Sequence, residues 1–259
     1  MEIYVREHGP NRPSSIVFIH GGGLGGWMWE RQVKDLSDFH CLVPDLPEQG
    51  RSKELKPFSI KDSAQQIAEL IKKRAHGGKS HVVGHSIGAQ IVVQLLSFAP
   101  EVVDCAVVNS ALVRRIPGMT GLIKPIVYLT IPLTKAKWFA WIQAKSLGVP
   151  DEDFARYFND SRSLTTGSLV NILEENANFS LPEGLKYCTV PTLILVGQKE
   201  RGVMRNSAKD LAAAIPNSKG YLVQGVGHCF NFDDPNLYNQ ILRAWYTNKQ
   251  LPTERLKDI

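Results

Sequence analysis

The chain has 259 residues, 43% of them hydrophobic, and a formal net charge of +5. That length and apolar content suit one domain with a sizeable core and exclude a disordered chain. The basic residues are dispersed, so the charge marks no nucleic-acid groove and serves solubility, and Cys41, Cys105, Cys188 and Cys229 show no paired or metal-ligand spacing.

Glu2 and Arg6 interrupt the first residues and no apolar stretch of signal type follows. With cysteines that read as reduced and mostly buried, this points to a cytoplasmic protein. Ser15-Ile16-Val17-Phe18-Ile19 is a near-continuous apolar run, which predicts a strand buried on both faces. It runs into His20-Gly21-Gly22-Gly23-Leu24-Gly25-Gly26. A glycine loop after a strand could cradle phosphate. However, no Walker lysine-hydroxyl pair follows, and no dinucleotide pattern with a later ribose-binding acid fits. Cys41 to Pro44 predicts the next strand, and Ser59 to Arg74 a helix with a capping-box start and an apolar face of Ala64, Ile67, Ala68 and Ile71.

Ser80 to Val83 predicts a strand, and Ile87 to Phe98 a helix. Between them stands Gly84-His85-Ser86-Ile87-Gly88. A sharp strand-to-helix turn of this pattern holds a serine hydroxyl clear of the backbone, and its glycines leave room for the close passage of strand and helix. Ser86 is therefore the candidate nucleophile. His85 suits packing better than proton transfer. With Ser86 downstream, the glycine loop reads as an oxyanion loop. The N–H groups of Gly22 and Ile87 are the candidate donors, with Gly23 as a substitute for Gly22.

Cys105 to Val108 predicts a further strand, after which the strand-helix alternation breaks until Val190. The alternation itself implies a parallel sheet with helices on both faces. The interruption, residues 111–186, is rich in apolar helix-like segments and carries prolines at 117, 125, 132, 150 and 182. Its most hydrophobic stretch, Gly121 to Leu133, is too short to span a membrane and is broken by Lys124 and two prolines. Lys135, Lys137 and Lys145 beside Trp138 and Trp141 could suit an interfacial helix. Membrane contact is the lesser reading, and none is expected.

Val190 to Val196 predicts a strand running into Gly197-Gln198-Lys199-Glu200. Gly220 to Gln224 predicts another, followed by Gly225-Val226-Gly227-His228. Asp234-Pro235 reads as the cap and first residue of a helix bearing Leu237, Ile241, Leu242 and Trp245. His228, in a glycine loop between strand and helix, is placed to reach toward Ser86 as its base. His8, His40, His76 and His81 have no such context. Asp233 and Asp234 lie near His228 in sequence, but capping explains Asp234 better.

The chain resembles the α/β-hydrolase superfamily over nearly its whole length outside the central segment. His20-Gly21-Gly22 resembles the family's oxyanion loop, and Asp45-Leu46-Pro47-Glu48-Gln49-Gly50-Arg51-Ser52 its turn after the next strand. Gly84 to Gly88 resembles its nucleophile elbow, and Gly225 to His228 its histidine loop. The resemblance implies an α/β-hydrolase fold: a mostly parallel central sheet flanked by helices. A mainly helical cap would be inserted between strands six and seven of the family's numbering. The core would be residues 1–110 and 187–259, the cap 111–186. It further implies that Glu200 stands where the family's orienting acid, usually aspartate, stands. In the cap, Ile116, Leu122, Ile126 and Phe139 are available to wall an acyl pocket, and Met119, Tyr128, Trp138 and Trp141 are the chosen candidates. The expected function is hydrolysis of small or medium apolar carboxylic esters through an acyl-enzyme. No metal or organic cofactor is implied, and the partner is a small molecule. Thioester hydrolysis, carbon-carbon hydrolysis and perhydrolysis use the same residues. A ligand receptor retaining the scaffold is the alternative from another class.

Overall fold

The computed structural model describes residues 2–116 and 118–259, with Met119 described by its backbone alone. Its strands are β1 (Val5–His8), β2 (Ser15–Ile19), β3 (His40–Pro44), β4 (Ser80–His85), β5 (Val103–Asn109), β6 (Thr192–Gly197), β7 (Ser218–Val223) and β8 (Leu256–Asp258). They form one sheet in the order β1-β3-β2-β4-β5-β6-β7-β8. From β3 through β7 all neighbours are parallel; β1 and β8 pair antiparallel at the two edges.

The central strands are apolar on both faces because helices cover both. Val17, Ile19, Val82, Val108 and Ile194 point to one core, which they share with α2 (Ile60–Arg74), α3 (Ile87–Phe98) and α8 (Gly202–Ala214). Their neighbours Ile16, Phe18, Val83, Val107 and Leu193 point to the other. There they meet Val33 of α1 (Glu30–Asp35), Phe230 and Phe232 of the short α9 (Phe230–Asp233), and Tyr238, Ile241 and Leu242 of α10 (Pro235–Tyr246). The period-2 alternation thus feeds two apolar layers, each buried leucine or isoleucine contributing roughly 1.5–3 kcal/mol.

The caps match their local chemistry. Ser59 Oγ accepts from Asp62 N at 3.2 Å, and Asp234 Oδ1 accepts from Leu237 N at 3.0 Å, with Pro235 in the first turn. The edge strands β1 and β8 carry no apolar run. Arg6, Glu7, Lys257 and Asp258 occupy them, as suits solvent-facing edges that must not pair with other chains.

Between β5 and β6, the strands that the family counts as six and seven, the described residues insert four α-helices: α4 (Met119–Thr134), α5 (Lys137–Ser146), α6 (Phe154–Ser163) and α7 (Thr166–Asn178). Ile123 and Val127 of α4 pack on Val170 and Ala177 of α7 in a small core of their own. Polar ties fix this layer to the body. Buried Glu48 accepts from Ser168 Oγ at 3.2 Å and from Asn171 Nδ2 at 2.9 Å. Glu175 accepts from Ile60 N at 2.7 Å, and Gln90 Nε2 donates to Leu112 O at 2.6 Å and Asn176 O at 3.0 Å. Among the described residues no helix is long and apolar enough to cross a membrane.

Candidate active site

Ser86 stands between β4 and α3 with φ 55° and ψ −115°, a conformation that non-glycine residues rarely adopt. The flanking glycines permit it. A Cβ on Gly84 would lie 2.3 Å from Gly88 O, and one on Gly88 would lie 2.4 Å from Ile19 O. The turn is further held by Ser86 N donating to Asn109 O at 2.9 Å. The N-terminus of α3 then lies directly behind Ser86, favouring negative charge there.

The glycine loop is fixed by His20. This buried ring donates from Nδ1 to Gly21 O at 2.8 Å and accepts from Leu46 N through Nε2 at 2.9 Å. It is therefore neutral, and burial lowers its pKa. Gly23 N donates to Gln49 Oε1 at 2.8 Å, so Gly23 is not free to stand in for Gly22. Gly22 N–H and Ile87 N–H have no protein acceptor among the described residues. The two residues are close: a Cβ on Gly22 would come within 3.7 Å of Ile87 Cγ2. Both line one cavity with Ser86.

Glu200 follows β6 and His228 follows β7, and these adjacent parallel strands bring them together. His228 Nδ1 donates to Glu200 Oε2 at 2.7 Å, which leaves His228 Nε2 as the free acceptor. The other carboxylate oxygen, Oε1, accepts from Ser110 Oγ at 2.8 Å and Gly197 N at 2.8 Å. The Glu200 side chain is only 2% exposed, against 33% for His228. No hydrogen bond joins Ser86 Oγ to His228 among the described residues, and in a free active site such bonds are commonly long. Asp233 Oδ2 accepts from Gly227 N at 2.6 Å, so Asp233 braces the histidine loop.

His85 lies beneath His228, with ring centroids 4.8 Å apart. It is fully buried between Asn109 Nδ2, 3.1 Å from its Nδ1, and Cys229 Sγ, 3.5 Å from its Nε2. Burial first, and the His228 charge second, push its pKa well down. The neutral His85 ring thus packs against that of His228.

The cavity at Ser86 measures about 460 Å³. Ile126, Val127, Phe139, Leu147, Leu164, Leu169, Ile172 and Leu173 give it apolar walls, and Thr130, Thr134, Gln143, Tyr157, Ser161 and Asn176 add neutral polar groups. Among the described residues no Lys, Arg, Asp or Glu lines it. Three of the expected pocket residues lie elsewhere. Tyr128, Trp138 and Trp141 are 69%, 61% and 49% exposed and do not line the cavity. The helical turn is the reason: α4 directs Val127, Thr130 and Thr134 inward, and α5 directs Phe139 and Gln143 inward, with Leu147 lining the cavity just past its end. The Met119 side chain lies outside the described residues.

Ser110, Gln49 and His20 emerge as supporting groups that the sequence pattern did not single out for these roles. The signal for Ser110 was positional only, since it follows the C-terminal end of a parallel strand, where open α/β sheets place their sites. Among the described residues there is no group of three or more His, Cys, Asp or Glu placed to hold a metal.

Residues 14–235 match the model of the alpha/beta hydrolase fold family, so the chain belongs to that family. An AB hydrolase superfamily protein of Gibberella zeae is 28% identical over 96% of this chain and 86% of its own. A pimeloyl-[acyl-carrier protein] methyl ester esterase of Vibrio atlanticus is 26% identical over 87% of this chain and 90% of its own. A putative carbamate hydrolase, RutD, of Pseudomonas syringae is 24% identical over 91% of this chain and 94% of its own. Among solved structures, a thermophilic esterase from Thermogutta terrifontis superposes with a TM-score of 0.78 at 18% identity, covering 95% of this chain and 93% of that one. The class is thus hydrolase, and the fold is that of the family.

Proposed function

We propose that the protein is a serine hydrolase of small or medium apolar carboxylic esters. The carrying observation is the Glu200–His228 hydrogen bond of 2.7 Å, with the His228 ring 4.8 Å from that of His85, the chain neighbour of a strained Ser86 that opens into a cavity walled by apolar side chains. In this reading His228 Nε2 takes the Ser86 proton as Oγ attacks the carbonyl carbon. Gly22 N–H and Ile87 N–H receive the charge on the carbonyl oxygen, each such donor being worth about 3 kcal/mol of transition-state stabilisation. His228 then protonates the departing alcohol, and a water activated by the same ring releases the acid. Glu200 holds the Nδ1–H tautomer and stabilises the imidazolium. Residues 111–186 act as the cap that shields this chemistry from water and sets acyl size.

The absence of charged residues from the cavity wall among the described residues favours neutral acyl groups over acids. The relatives' names include ester and carbamate hydrolysis, and both fit the same three side chains; the apolar walls favour the ester. The four cysteines are unpaired and buried, which suits a cytoplasmic enzyme. A fluorophosphonate probe tests the assignment. Intact-protein mass spectrometry should find one adduct on the wild type and none on Ser86→Ala, with sustained turnover of p-nitrophenyl esters in the wild type alone. Labelling at another residue would overturn the nucleophile. Labelling at Ser86 without sustained turnover would favour the receptor reading.

A further inference from the structure

We infer that the outer face of α4 and α5 docks on an anionic lipid surface. The helix α4 is apolar on two sides. Ile123, Val127, Thr130 and Thr134 follow one helical stripe toward α7 and the cavity. Leu122, Ile126, Leu129 and Leu133 follow a second stripe and stand exposed, Leu129 at 77%. Trp138, Trp141 and Ile142 continue the exposed face on α5. A soluble helix ordinarily turns charged residues outward, and a contiguous exposed patch of large apolar groups marks a binding face.

Charge identifies the occupant. Residues 111–150 contain six basic residues and no Asp or Glu. Lys124 and Lys145 meet acids from neighbouring segments, Glu174 at 3.7 Å and Asp151 at 2.7 Å. Lys135 and Lys137, which flank the turn between the two helices, form no ion pair among the described residues. Two exposed tryptophans beside free lysines match the boundary between lipid headgroups and acyl chains. A symmetric dimer through the same face would press one acid-free basic segment against another. An anionic bilayer offers the complementary charge instead. The face also communicates with the site, since Ile126 is half exposed and lines the cavity. Apolar substrate could thus pass from the lipid to Ser86 along α4. The docking itself stands apart from the choice of reaction, because vesicle binding is read without turnover.

Vesicle flotation tests this with the intact chain. Wild-type protein should float with mixed phosphatidylcholine and phosphatidylserine vesicles, less with phosphatidylcholine alone, and less again at high salt. The exposed double variants Leu129→Glu/Trp138→Glu and Lys135→Glu/Lys137→Glu should each weaken binding roughly tenfold or more. Thermal melting confirms that each variant is folded. Failure of the wild type to float, or flotation of both folded variants equal to that of the wild type, would overturn the inference. A wild-type dimer in sedimentation equilibrium that Leu129→Glu/Trp138→Glu dissociates, without vesicle binding, would assign the face to a second copy.

Discussion

Ser110 Oγ donates to Glu200 Oε1 at 2.8 Å across 90 residues of sequence. Ser110 itself sits at a positive φ of 60°, just after β5, while Glu200 follows the adjacent β6. With Gly197 N on the same oxygen, this bond fixes which carboxylate oxygen faces His228.

Glu200→Gln should therefore lower kcat by roughly 10²–10⁴-fold while the protein stays folded, because the imidazolium loses its partner. Ser110→Ala should lower kcat less, with KM nearly unchanged, since it loosens the carboxylate without removing it. Steady-state kinetics on a responsive p-nitrophenyl ester give both values. Wild-type kcat in Glu200→Gln would remove Glu200 from the acid role, and a larger loss in Ser110→Ala than in Glu200→Gln would reverse their ranking.

Acyl-chain selectivity should follow the inward face of the inserted helices. Each substrate methylene buried in the apolar cavity should add about 0.8 kcal/mol until the chain outgrows it, so kcat/KM should rise and then fall along an ester series. Phe139 lines the cavity and Trp141 does not. Phe139→Ala should move the optimum to longer acyl groups, and Trp141→Ala should leave it in place. The reverse pattern, or a flat series, would tell against this cavity as the acyl site.

Asp160 provides a pH test of stability. Its Oδ2 accepts from Trp27 Nε1 at 2.6 Å, and burial raises its pKa from 3.8 to about 6, with the Trp27 bond opposing and the Asp45 charge adding. A carboxyl with a raised folded pKa holds its proton more tightly when folded, so stability falls as pH climbs between the two values. Above about pH 6 the full cost stands, up to about 3 kcal/mol. Asp160→Asn keeps an acceptor for Trp27 and removes the charge. The variant should melt above the wild type at pH 7, and the gap should close toward about pH 4. A gap independent of pH would mean that the charge of Asp160 is not the source.

The elbow glycines should be intolerant of even a methyl group. The contacts awaiting a Cβ at Gly84 and Gly88 are backbone atoms, at 2.3 and 2.4 Å, which cannot swing aside. Gly84→Ala and Gly88→Ala should each destabilise the fold by roughly 1–3 kcal/mol or more. Gly23, whose Cβ would meet nothing within 4 Å, also has a positive φ of 73°, so Gly23→Ala should carry backbone strain alone. Chemical denaturation of the three variants ranks them; equal stability for all would remove the steric account of the motif.

The positions of Ser86, Glu200 and His228 at strand ends were readable in the chain because each signal is local. An apolar run stops, glycines or a capping pair follow, and the next helix begins. Even the parallel sheet was implied, since strands buried on both faces must alternate with helices. The short edges β1 and β8 were not legible, because an edge strand needs no apolar run. The approach of Ser110 to Glu200 and of Gln49 to Gly23 depends on strand order, which no local pattern encodes. The same holds for the inserted helices. In α4 two apolar stripes share one segment, so hydrophobicity alone could not say which faces the cavity. Packing of Ile123 and Val127 against Val170 and Ala177 decided it: that contact buries one stripe, and the geometry of a helix leaves the other, with Leu129 and Leu133, to face outward.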